Sequence, residues 1–316
     1  MDYNEENEVS EMMIGVVDIG GTSIKYGVLN EKGELLFHAS VPTEAEKGGA
    51  AVIRKVCGLG DELKERFPIE GMAISSAGQI DNHKGEVVFA TDNIPGYTGM
   101  DITGTVRRHT GLPVAVENDV NCMALGEHWK GAARGLRDFV CLTIGTGIGG
   151  ALFLDGKLYT GARFSAGEIG HLCLYPGGKP CTCGNRGCYE QYASSTALSR
   201  LAAETFGPDT GLREFFGQVR SGDGQATALF NRWVDDLTTG LQSLVHIFNP
   251  EAIIIGGGIS EQGDLLTGAI RESLDGKIMP NHRRSLEVRA AEQGNKANLL
   301  GAAAHFWAGR ESGGES

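Results

Sequence analysis

Short apolar runs separated by glycine-rich turns organise the first half of the chain. IGVVDIGGTSIKYGVLN, residues 14–30, predicts a strand, a tight glycine turn and a second strand. GELLFHAS continues as a third strand, residues 44–66 as a helix, and GMAISSAG as a buried strand ending in a turn. DITGTVRRHTG predicts a helix stopped by Gly111. LPVAVENDV reads as a strand whose last residues run into a helix from about Asn121 to Lys130.

The second half opens like the first. RDFVCLTIGTGIGGALFLDGKLY is again strand, glycine turn and strand, so the openings at 14–30 and 138–159 imply a duplicated architecture. Helices are expected near 190–206, 209–220 and 225–248, and EAIIIGGGIS as a buried strand passing through a glycine turn into a helix. NKANLLGAAAHFWAGR predicts an amphipathic final helix with Leu299, Leu300, Ala303, Ala304 and Phe306 on its apolar face, packed back onto the first lobe. No low-complexity linker divides the halves. The fold class is α/β with two lobes.

Length and composition narrow this picture. A chain of 316 residues exceeds what one core usually organises, so one large domain or two smaller ones are expected. Forty-eight glycines without a collagen-like period point to tight turns and close backbone approach to a ligand. A net charge of -12 excludes a general nucleic-acid or anionic-membrane binder, yet a local phosphate site built from backbone N–H groups stays compatible with it. No apolar run reaches the length of a membrane span, and the acidic start MDYNEENEVSEM is unlike a signal peptide. The expectation is a cytoplasmic protein with a disordered acidic tail over residues 1–13. Its seven cysteines are then thiols or metal ligands. Cys57, Cys122, Cys141 and Cys173 stand singly among apolar residues and are expected as small core side chains.

Three glycine clusters follow predicted strands: DIGGT at 18–22, TIGTGIGG at 143–150 and IIIGGGIS at 253–260. Without a Cβ in the way, backbone N–H groups there can reach a phosphate, with Thr22 and Thr146 adding hydroxyls. Asp18, at a strand end, could hold Mg²⁺ through water. A single such cluster is commonly just a hairpin; three at strand ends, two carrying Gly-Thr, point to a nucleotide, although neither Rossmann nor P-loop spacing is present. In VAVENDVN, Glu117, Asn118 and Asp119 end an apolar strand. A carboxylate there either caps the following helix or, in phosphoryl transfer, accepts a hydroxyl proton.

GEIGHLCLYPGGKPCTCGNRGCYE, residues 167–190, concentrates the remaining chemistry. Cys181 and Cys183 are too close for an easy disulfide. With His171 and Cys188 they form H-x9-C-x-C-x4-C, one nitrogen and three sulfurs, the donor set of a structural tetrahedral Zn²⁺ site. The competing reading is three unrelated thiols beside a surface histidine.

The order DIGGTSIKYG, VENDVN, LTIGTGIGG and IIIGGGIS, with GEIGH followed by CTCGNRGCYE, resembles the sugar-kinase, Hsp70 and actin superfold. Within it the chain is most similar to the ROK family of sugar kinases and related repressors, over about residues 14–308. The resemblance implies a two-lobed actin-like ATPase fold with a duplicated β-sheet core flanked by helices. It divides the chain into a small N-terminal lobe, 14–118 plus the final helix 296–309, and a large C-terminal lobe, 119–295, carrying the zinc loop 171–188. It implies ATP and Mg²⁺ as cofactors: Gly20, Gly21, Thr22 and Lys25, then Gly145, Thr146 and Gly147, then Gly256, Gly257 and Gly258 against the nucleotide, with Asp18 on Mg²⁺. Asp119 becomes the general base. Gly78, Asn93, Asn118, Asp119, Glu168, His171 and Glu190 become sugar contacts, while the zinc on His171, Cys181, Cys183 and Cys188 is structural. Ala77 stands where the family usually has proline, which implies a looser turn at Gly78.

The implied activity is phosphorylation of the 6-hydroxyl of a hexose by ATP, glucose first, with N-acetylmannosamine, N-acetylglucosamine or another hexose as alternatives. A homodimer is expected. Sugar-responsive repressors of the family carry a DNA-binding helix-turn-helix ahead of the DIGGT equivalent; the 17 residues before Asp18, acidic as a segment, do not suit that role. A non-catalytic sugar-binding regulator is the reading of another class, and it requires Asp119 to be placed away from base chemistry.

Overall fold

The computed structural model describes residues 11–313, with side chains through Arg310. The expected tail therefore lies largely outside the described residues, and the first strand already begins at Met13. Packing divides the chain into two units: residues through Gly126 together with those from Asn298 onward, and Glu127–Ala297.

The first unit contains β1 (Met13–Ile19), β2 (Ser23–Asn30), β3 (Leu35–Pro42), α1 (Gly49–Arg66), β4 (Ile69–Ser76), a hairpin of β5 (Gln79–Asp81) and β6 (Glu86–Phe89), α2 (Ile102–Thr110) and β7 (Val114–Asn118). It ends within α3 (Asp119–Lys130). Its sheet runs β3-β2-β1-β4-β7, antiparallel through the first three strands and parallel from β1 through β4 to β7. Central β1 and β4 are buried on both faces and read as continuous apolar runs. Edge strand β3 alternates half-buried and exposed positions, as a one-sided strand must.

The second unit repeats this plan. It holds β8 (Phe139–Ile144), β9 (Ile148–Leu154), β10 (Lys157–Tyr159), α4 (Glu190–Ala193), α5 (Ser195–Phe206), α6 (Leu212–Arg220), α7 (Gly224–Phe248), β11 (Ala252–Gly256), α8 (Asp264–Asp275), α9 (Pro280–Arg283) and β12 (Glu287–Ala290). The sheet order β10-β9-β8-β11-β12 has the same sequence of antiparallel and parallel pairings. A core of Leu142, Phe215, Phe216, Trp233 and Ile255 fills the space between this sheet and α5–α8. The last helix, α10 (Ala297–Gly313), returns to the first unit.

Several local expectations are corrected. The helix foreseen over 190–206 is two helices, because Ser194 adopts extended backbone and caps α5, its side chain accepting from Ala197 N at 3.1 Å. The helix foreseen from 44 starts as a short 3₁₀ turn, Ala45–Lys47, before α1. The last helix is not amphipathic over its first two turns: Leu299 through Ala303 are all buried, while Ala304 is only half-buried. Gly301 lies against the Cys122 backbone and Phe306 against Gly71, so small residues let the helix approach on more than one side. Cys57, Cys122 and Cys141 are buried as expected; Cys173 is exposed and is no core residue. The β5–β6 hairpin and β12 had no counterpart in the sequence reading.

Candidate active site

Register fixes the chemistry of the first unit. Asp18 on β1 stands beside Ser75 on β4, which stands beside Glu117 on β7, near the carboxyl ends of three parallel strands where α/β sheets commonly bind ligands. Asp18 is buried. Its Oδ1 accepts from Ser75 Oγ at 2.7 Å and from Asn298 Nδ2 at 3.0 Å, and Oδ2 faces Lys25 Nζ at 3.9 Å. A buried carboxylate with one oxygen pinned by two neutral donors and the other directed toward a cation suits a water-bridged Mg²⁺ ligand.

The turn after β7 is held from within. Fully buried Glu117 accepts from Asn82 Nδ2 at 2.5 Å, Asn121 Nδ2 at 3.0 Å and Asn118 N at 2.6 Å. Asn118, rather than Asp119, caps α3: its Oδ1 accepts from Val120 N at 2.9 Å and Asn121 N at 3.1 Å. Its Nδ2 donates to Gly78 O at 2.8 Å and to Asp119 Oδ1 at 3.0 Å. With the cap role shared by its neighbour, the Asp119 carboxylate is held through Oδ1, which also accepts from Val120 N at 2.9 Å, and no side chain is bonded to Oδ2 among the described residues. Burial, and then the charge of Asp18, push the Asp119 carboxyl up to about 6. A carboxylate so tuned is ionised at neutral pH and a better proton acceptor than an ordinary aspartate.

Ala77 does not leave the Gly78 turn unsupported. Its N–H, which proline would lack, reaches Ile19 O at 3.4 Å, and its carbonyl accepts from Ser76 Oγ at 3.0 Å. Asn93 is exposed on a segment anchored by buried Ile94 and Tyr97, whose hydroxyl pairs with Ser76 Oγ at 2.8 Å. The first glycine turn is closed by Gly20 N to Ser23 O at 3.1 Å and by Thr43 Oγ1 to Gly20 O at 2.6 Å, which leaves Gly21 and Thr22 exposed.

In the second unit, Gly145, Thr146 and Gly258 line one cavity of about 620 Å³. Gly257 has φ +80°, and a Cβ there would collide with the Ile144 backbone, so glycine is what lets this turn lie against the β8 turn. Gly256 is buried inside β11 and Gly147 faces Glu190, so neither lines the cavity. Sequence reasoning missed Ser195, Ser199, Arg213, Phe216 and Arg220, which supply much of the wall. Residues spaced along a helix face carry no motif, so only the packing of α5 and α6 identifies them.

The zinc-type set is assembled. Cys181 Sγ lies 3.6 Å from His171 Nδ1, Cys183 Sγ lies 3.6 Å from Cys188 Sγ, and all four donor atoms fall within 4.8 Å of one another. A tetrahedral ion with Zn–S about 2.3 Å and Zn–N about 2.0 Å has edges of about 3.5–3.8 Å, the range of the two 3.6 Å separations, so the donor set is compatible with that ion. Nδ1 of His171 points into the set, and Nε2 points toward Glu168 Oε2 at 3.9 Å. Glu190 Oε1 is 4.0 Å from Nδ1.

The sequence profile of the ROK family matches residues 14–308. This chain belongs to the ROK family. A glucokinase of Thermotoga maritima is 37% identical over 92% of this chain and 96% of its own length. A beta-glucoside kinase of Klebsiella pneumoniae is 35% identical over 93% of this chain and 97% of its own. The crystal structure of a ROK family glucokinase from Streptomyces griseus in complex with glucose and AMPPNP superposes with a TM-score of 0.80 at 35% identity, covering 92% of this chain and 98% of that one. The two similar sheets with flanking helices are thus the actin-like ATPase fold of the ROK sugar kinases.

Proposed function

We propose that the protein is an ATP-dependent hexose kinase acting on the 6-hydroxyl of glucose. The single observation that carries this reading is the Asp119 carboxylate, held by side chains through Oδ1 alone among the described residues and with its proton affinity raised to about 6, just after a parallel strand. ROK relatives named glucokinase support glucose as the sugar.

In this mechanism Asp119 Oδ2 takes the proton of the 6-hydroxyl as that oxygen forms its bond to the γ-phosphorus. The bond from the γ-phosphorus to the bridging oxygen of ADP breaks, and its electron pair leaves with ADP. Asn118 holds the base through its bond to Asp119 Oδ1, and the Glu117 network holds Asn118. Because Asn118 spends its donors on Gly78 and Asp119, a sugar hydroxyl meets this side chain by sharing or replacing one of those bonds. Glu168, Glu190 and His171 Nε2 are assigned to the remaining hydroxyls. Bound Mg²⁺, held through Asp18, supplies neutralisation of phosphate charge; bound zinc, held by His171, Cys181, Cys183 and Cys188, supplies rigidity. The exposed turn at Thr146 and the cavity beside Gly258 are assigned to the phosphates and the nucleoside of ATP.

We also infer a cytoplasmic location, where ATP is available; no helix among the described residues is long and apolar enough to cross a membrane. A homodimer is retained as a proposal, supported by exposed Ile247 and Met279 on the second unit and tested by light scattering.

The test of function is ADP release with a panel of sugars compared by kcat/KM: glucose, N-acetylmannosamine, N-acetylglucosamine and a β-glucoside. Glucose is expected to lead. A lead for another sugar would move the substrate assignment, and no sugar-dependent ADP release at all would support the non-catalytic regulator.

A further inference from the structure

The metal set and the phosphate turn of the second unit share their supports. On one side, the segment Ile169–His171 lies on the start of β9 so closely that a Cβ on Gly170 would overlap Ile148 O. That segment ends in the ligand His171. On the other side, the ligand Cys188 is followed almost at once by α4, whose first residue is Glu190. One carboxylate oxygen of Glu190 is 3.2 Å from Cys181 Sγ, and the other occupies the place a Cβ on Gly147 would take. Just after α4, Ser195 N donates to Gly145 O at 3.0 Å and Ser195 Oγ to Ile144 O at 3.3 Å. The turn itself is closed by Gly145 N to Gly147 O at 3.0 Å.

The stretch Ile144–Ile148 is therefore gripped from two sides by the chain segments that the four ligands join. We propose that the His171, Cys181, Cys183 and Cys188 set positions the phosphate-binding turn through Gly170 on one arm and through Glu190 and Ser195 on the other. Metal loading then sets nucleotide affinity as well as the shape of the sugar wall. Glu190 is in this respect a positioning residue for the turn, besides its assigned sugar contact. The inference rests on the nucleotide reading of that turn.

ADP with Mg²⁺ is titrated calorimetrically into the protein with sugar absent, so the sugar wall cannot contribute. The zinc-loaded protein is compared with protein stripped by a chelator and dialysed, its fold followed by circular dichroism. Stripping is expected to weaken ADP binding by at least about tenfold, the scale of a lost supporting interaction. A change of less than about twofold would overturn the proposal. Because stripping can loosen the whole loop, the single variant Gly147→Ala and the double variant Gly147→Ala/Glu190→Ala are measured with zinc content checked. The single variant should weaken ADP binding, because its added methyl group forces against the Glu190 carboxylate. Removing that carboxylate in the double variant should restore most of the loss. No restoration would overturn the proposal. Failure of the intact protein to bind ADP would instead remove the nucleotide reading beneath it.

Discussion

One asparagine decides what the neighbouring aspartate is free to do. Taken alone, the sequence makes Asp119 as good a helix cap as a base, because a carboxylate at a strand-to-helix turn naturally accepts N–H bonds. The structure gives that task to Asn118, whose Oδ1 accepts from Val120 N and Asn121 N, while Glu117 is buried beneath and locks the turn. The identity of the three residues was legible; the division of labour was not. It depends on Asn82 reaching Glu117 from 35 residues earlier, and Asn298 reaches Asp18 from 280 residues later. The raised proton affinity of Asp119 yields a signed prediction. In the proposed mechanism its carboxylate is the working form, ionised above about 6 and neutralised below. The free-enzyme kcat/KM should therefore fall as pH drops through about 6, with a limiting slope of one. A profile flat down to about pH 5 would detach this group from the rate.

At the scale of elements, strand–turn–strand units were the most readable parts, because apolar runs bounded by Gly-Gly or Gly-Thr leave few other conformations. The β5–β6 hairpin was invisible for the opposite reason: strands of three and four residues show almost no period. The break at Ser194 was hidden inside a continuous helical pattern, and it matters because Ser195 at the start of α5 meets the β8 turn. Gly257 tests how tightly the two turns of the second unit are built. Gly257→Ala should cost at least about 2 kcal/mol in denaturant unfolding, since it adds positive-φ strain to a backbone clash. It should also raise the KM for ATP; a variant with normal stability and normal KM would contradict the packing. The loop that carries His171, Cys181, Cys183 and Cys188 makes a separate prediction. Cys183→Ser should leave the purified protein with less than one zinc per chain and weaken sugar binding, read by metal analysis and by calorimetry with glucose. Full zinc content would remove Cys183 from the ligand set.

At the scale of the whole molecule, duplication was the correct inference from two similar openings, and the matching order of β3-β2-β1-β4-β7 and β10-β9-β8-β11-β12 shows why. Each sheet pairs an antiparallel edge with a parallel half, so each presents a glycine turn and strand carboxyl ends on which to build a site. The small residues of α10 misled the sequence reading, since Gly301 lies against the Cys122 backbone and Ala302 and Ala303 are buried beside it, which widens the covered face beyond an apolar stripe. The proposed mechanism depends on one proton acceptor, Asp119. The most direct measurement is turnover of Asp119→Asn, by glucose-dependent ADP release, alongside its glucose affinity by calorimetry. We predict turnover reduced by at least about a thousandfold, the upper range for loss of a general base, with glucose affinity changed by less than about threefold. Turnover within about tenfold of the parent protein, with glucose still bound, would contradict the account.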